Sequence, residues 1–178
     1  MQIRPLALSL LVVLLTAGFV TGLSAQADST AQQQPCADPK HRQFDFWIGE
    51  WDVTNPQGQP AGRSVITQTL NGCVIHEEWH SAASPFAGNS YNIYDAARGV
   101  WHQSWVDNSG LLLQLEGQFH NGKMVLVGER PAQAGGSVLN RISWERISDH
   151  EVRQLWESSA DGGETWTVQF DGLYSRKR

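Results

Sequence analysis

The residues whose types and spacing could do chemistry lie at 76–80, where His-Glu-Glu-Trp-His fits the pattern H-E-x-x-H. In a zinc hydrolase that spacing works on a helix. Residues i and i+4 then share a face, about 6 Å apart along the axis, so two imidazoles reach one metal and the Glu serves as general base. Here the segment follows an Asn71-Gly72 turn signal and the strand-like run "CVI". Four residues of strand cover ~13 Å, so His76 and His80 would share a face without sharing an ion. A third ligand is also missing. The longer motif needs Gly and His where this chain has Ala83 and Phe86, and no Glu occurs between Glu78 and Glu116. The expectation is a strand with Cys73, Ile75, Glu77 and Trp79 on one face, Val74, His76, Glu78 and His80 on the other, and no metal.

The stretch "SADGGETW", Ser159 to Trp166, fits the Asp-box pattern S-x-D-x-G-x-T-W. Repeated copies of that motif occur in sialidase propellers, but a single copy is a hairpin device. Asp161 bonds turn amides, Gly163 takes the positive-φ position and Trp166 packs beneath. Glu77 and Glu78 fall on opposite faces of their strand and make a poor acid–base pair. No G-x-S-x-G, P-loop, dinucleotide fingerprint or EF-hand is present. The six His are scattered; one in a pocket would be enough for haem, but nothing in the pattern asks for a cofactor, and none is expected.

The elements that must hold these residues read as strands. Turn signals recur at Asn55-Pro56, Asn71-Gly72, Ala87-Gly88, Arg98-Gly99, Asn108-Ser109-Gly110, Asn121-Gly122, Gly135-Gly136, Asp149-His150 and Asp161-Gly162-Gly163, mostly about 9–16 residues apart, as in barrels and sandwiches built from hairpins. Between them the pattern alternates. Trp101, Gln103, Trp105 and Asp107 share one face, as do Val152, Gln154 and Trp156, and as do Trp166, Val168, Phe170, Gly172, Tyr174 and Arg176. About ten antiparallel strands in this length close into a small barrel, which removes exposed edges. The single helical candidate is a short turn near "HRQFDFWI".

The N-terminus, "MQIRPLALSLLVVLLTAGFVTGLSAQA", reads as a secretory signal peptide over residues 1–27, cleaved after Ala25 or Ala27. Its apolar run of about 15 residues is short for a membrane span, which needs ~20. Residues 28–40 form a polar leader and 41–178 one domain. Removing Arg4 from the 13 Lys and Arg leaves 12 against 18 acids, a formal charge of −6. This argues against a nucleic-acid partner, which needs a basic footprint, and none is expected. In an exported chain, Cys36 and Cys73 are expected to pair.

Within "FDFWIGEWDV", Gly49-Glu50-Trp51 resembles the G-x-W of the first strand in lipocalins and other calycins, where an Arg near the last strand packs over the Trp; Arg176 or Arg146 would be its counterpart. With "GCVIHEEW", "WHQSWVDNSG", "RISW", "VRQLWESSADGGETW" and "FDGLY", the chain resembles a bacterial family of secreted lipocalin-like domains of unknown function, over about residues 36–176. The resemblance implies a lipocalin-like antiparallel barrel and no particular activity. The fold class is therefore all-β, a calycin-type barrel of about ten strands with little helix, marked by Gly49, Trp51, Asp161, Gly163 and Trp166.

The function that follows is binding of a small apolar or amphipathic molecule outside the cytoplasm, periplasmic or extracellular, by a monomer or weak dimer with no membrane span after cleavage. Candidate lining residues are Glu77, Trp79, Trp101, Gln103, Trp105, Gln154 and Trp156. The alternatives are an isomerase or hydrolase on the same barrel, with a buried Glu77 moving a proton, and a solid-cored accessory protein.

Overall fold

A computed structural model describes residues 35–132 and 135–177. The expected signal peptide and residues 28–34 of the leader lie outside them. Ten antiparallel strands form a closed barrel in which every strand pairs with its sequence neighbours and the first pairs with the last. They are β1 (Gly49–Thr54), β2 (Pro60–Thr69), β3 (Val74–Ser81), β4 (Ala87–Asp95), β5 (Val100–Asp107), β6 (Leu112–His120), β7 (Lys123–Pro131), β8 (Ser137–Arg146), β9 (Glu151–Ser159) and β10 (Thr167–Arg176). Among the described residues, no helix is long and apolar enough to cross a membrane.

The helical candidate resolves into two short 3-10 turns, Pro39–Arg42 and Asp45–Trp47. Asp38 caps the first, accepting from the Lys40 amide. This segment crosses one end of the barrel. Phe44 and Trp47 are fully buried there, and Phe44 packs against Trp47, Trp101 and Trp144 at ring-centroid distances of 5.0, 5.7 and 5.1 Å. The Trp101 N–H donates to Gln43. A disulfide joins Cys36 to Cys73, 37 positions apart, and the Arg42 guanidinium donates to the Gly72 carbonyl. Both ties hold the crossing segment to the turn before β3.

Trp51 and Arg176 fasten the seam between β1 and β10. The guanidinium lies 4.4 Å from the Trp51 ring centroid and donates to the Ile48 carbonyl, while the Trp51 N–H donates to the Trp47 carbonyl at 2.9 Å. Gly49 is required here, because a Cβ would overlap the Arg176 guanidinium and its φ of +151° lies in a region side chains avoid. Arg146, the other candidate, pairs with Asp149 instead.

At the opposite end, the Asp-box hairpin closes as its pattern predicts. Asp161 accepts from the Ser159 hydroxyl at 2.6 Å and from the Thr165 amide at 2.9 Å. Its carboxyl is held well below the usual range, mainly by the Ser159 and Thr165 bonds. Trp166 donates to the Gly163 carbonyl and carries the Arg141 guanidinium 3.9 Å from its ring centroid.

The last strand departs from simple alternation. β10 bulges between Val168 and Phe170: Val168 pairs with Glu157, yet Phe170 pairs with the next residue back, Trp156. The extra residue turns Val168 outward, where it is 55% exposed, so it does not share a face with Phe170 and Tyr174 as expected.

Candidate functional site

Most of the Trp residues on the strands point into the lumen, but the crossing segment fills only one end. Toward the other lies a cavity of about 510 Å³, within the usual size of small-molecule pockets. Its walls are mainly Trp79, Trp105, Trp156, Phe170, Leu113 and Ile142, and Glu77, Gln103, Gln154 and Tyr174 supply its inner polar groups. Phe86, Asp107, Ser109 and Leu111, from the two hairpins β3–β4 and β5–β6, border it as well.

Glycines make room for two of the indoles. A Cβ at Gly62 would collide with the Trp79 ring, and one at Gly88 with the Trp105 ring. Trp79 meets Phe170 edge-on, centroids 5.5 Å apart. The half-buried Trp105 and Trp156 are held by their N–H groups, donating to Asp107 at 3.1 Å and to Asn140 at 3.0 Å.

Glu77 is 3% exposed. Its two oxygens accept from the hydroxyls of Ser64 on β2 and Ser90 on β4, at 2.9 and 3.0 Å. The chain of bonds continues: the Asn92 amide donates to Ser90 and to the Ile75 carbonyl, and the Gln103 amide donates to Asn92 at 2.8 Å. Burial pushes the Glu77 carboxyl up to about 7, with the two serine bonds opposing. Tyr174 donates to the Gln154 side-chain oxygen; burial, and then the charge of Glu77, push its phenol well above the ordinary value. Asp107 behaves oppositely. Burial raises its carboxyl, but bonds from Ser109, Trp105 and nearby amides outweigh this and hold it below the usual range.

Of the residues the sequence marks as lining, Glu77, Trp79, Gln103, Trp105, Gln154 and Trp156 meet at this cavity. Trp101 does not border it. It shares the inward face of β5 with Gln103 and Trp105, but lies at the strand's other end, sealed under Phe44. Sequence reasoning missed Ser64, Ser90, Asn92 and Asn140, all buried, as well as Tyr174 and the bulged Gln169. The alternation in "NSYNIYD" could have revealed Ser90 and Asn92, had its polar face been read as the inner one.

His76 and His80 belong to a strand, on its outer face. The His76 ring stacks on Tyr91 at 4.7 Å and contacts the Asn89 side chain. Among the described residues, no group of three or more His, Cys, Asp or Glu is arranged to hold a metal ion.

The cavity can thus enclose an apolar body and offer it hydrogen-bond partners and one proton-exchanging carboxyl at depth. No family model matches the chain and neither does any curated protein, so the chemistry of this site must be read from its own residues.

Proposed function

We infer that the protein binds a small apolar or amphipathic molecule inside its barrel. One observation carries the reading: an aromatic-walled cavity of about 510 Å³ at one end of an otherwise packed lumen. Small barrels either fill with side chains or hold one ligand, and this volume argues against a solid-cored accessory protein. The disulfide and the signal-like N-terminus support export, and the G-x-W and Arg176 pairing supports kinship with lipocalin-like domains. The protein acts as a monomer or weak dimer in this reading.

The neutral fluorophore N-phenylnaphthylamine tests the proposal. It should brighten and shift the Trp emission on binding, and Trp105→Ala should lose the shift with its far-ultraviolet circular dichroism intact. A folded wild-type protein that leaves the probe dark would overturn the reading.

A second reading, an isomerase or hydrolase, draws support from Glu77, a buried carboxyl that titrates near neutrality beside Tyr174. Turnover of a bound small molecule with a pH profile that Glu77→Gln abolishes would favour it over plain binding.

A further inference from the structure

The charges around the cavity are all of one sign. Glu77 and Asp107 border it, and no Lys, Arg or His does among the described residues. Elsewhere the acids are commonly paired: Glu116 with Arg98, Glu145 with Lys123, Glu157 with Arg141 and Asp171 with Arg153. Glu77 instead has two serine hydroxyls, and each of its oxygens keeps capacity for a further donor. Its bonded and paired neighbours are neutral, Ser64 and Ile66 from β2 and Ser90 from β4, and the nearby cavity groups Gln103 from β5 and Gln154 from β9 are neutral too. On β10 the one titratable neighbour is Tyr174, itself a poor acid here. Asp107 repeats the sign nearer the β5–β6 turn.

The walls point the same way. Trp79, Trp105, Trp156, Phe170 and Tyr174 line the cavity, and aromatic rings attract cations over their faces, most strongly where water is excluded. An anionic ligand would meet two carboxyls and no counter-charge, so its desolvation would go uncompensated.

We propose that the cavity selects cationic amphiphiles, molecules with a protonated amine at the inner end of a flat apolar body, the ammonium seated on Glu77 and the body held among Trp79, Trp105 and Trp156. This rests on the small-molecule reading above and adds the sign of the ligand. Binding is an exchange: an arriving ammonium displaces the proton of a neutral Glu77 to solvent and leaves an ammonium–carboxylate pair.

Three probes of one shape separate the possibilities: naphthylmethylammonium, naphthylmethanol and the naphthylacetate anion, measured by titration calorimetry in buffers of different ionisation heat. The ammonium should bind about tenfold tighter than the alcohol at neutral pH, with the anion weakest. Its affinity should climb at least about tenfold from about pH 5.5 to about pH 8, with proton release on the acid side, while the alcohol's stays level. Glu77→Gln should bring the ammonium and the alcohol to similar affinity. The pH profile of the unaltered protein gives the same answer if that variant folds poorly. An anion that binds as tightly as the ammonium, or an ammonium preference that survives Glu77→Gln, overturns the proposal. Alcohol binding with no ammonium preference defeats the charge assignment alone. Failure of all three probes defeats the small-molecule reading, and this one with it.

Discussion

At the end of the barrel crossed by residues 36–48, Trp47, Trp101 and Trp144 gather around Phe44, each no more than 2% exposed. Toward the other end, Trp105 and Trp156 stand half-buried around a space of about 510 Å³. The strands supply the same residue type to both regions, and β5 supplies one Trp to each. What separates them is a segment outside the barrel. Where it enters, indoles become core; where nothing enters, they become walls. Aromatic content alone therefore says little about which end of a barrel binds.

The sharpest way to break this contrast is to truncate one indole at each end. Trp47→Ala should cost about 4 kcal/mol of unfolding free energy, the usual loss for a large side chain cut from a packed core. Trp105→Ala borders space already open and should cost about 1 kcal/mol, since little new cavity is made. Urea unfolding of both variants checks this, and equal losses would erase the distinction between the regions.

Next in size is the tie that holds the crossing segment. Reducing Cys36–Cys73 should lower stability by about 3 kcal/mol, in the usual range for a loop of this length. If the segment plugs the barrel through this bond, reduction should also raise acrylamide quenching of the buried indoles before global unfolding. Unchanged quenching would mean that Phe44 and Trp47 stay seated without it.

A pH effect of up to comparable size concerns the cavity end. Glu77 holds its proton up to about 7 in the folded chain, against 4.5 ordinarily. The native state thus binds more protons than the unfolded state between those values, so stability is highest below the lower one and falls as pH rises toward 7. The loss should reach up to about 3 kcal/mol, at ~1.4 kcal/mol per unit of difference. Glu77→Gln should flatten this part of the stability–pH curve. A wild-type curve that rises through the same window would refute the assignment.

Much of this architecture was legible because period-2 patterns and turn residues are local. The Asp-box hairpin, the inward faces of β5 and β9 and the pairing of Glu77 with Trp79 on one face follow from them. Other features depend on distant chain. β4 inverts the usual rule, with Ser90 and Asn92 buried and Tyr91 and Ile93 exposed. Its polar residues go inside because Glu77 and Gln103, on the flanking strands, satisfy them. Trp101 looks equivalent to Trp105 until the crossing segment is in place. The β10 bulge, which turns Val168 outward and brings Gln169 to the cavity, has no glycine or proline at its centre to announce it.

The seam between β1 and β10 bears on the order in which the molecule is made. Nine of the ten strand pairings are hairpins that form from adjacent chain, whereas the tenth waits for Arg176 to find Ile48, 128 positions away. Loop-closure entropy falls chiefly on that one step. A chain emerging N-terminus first can assemble its meander strand by strand, but it cannot complete the circle until β10 has arrived.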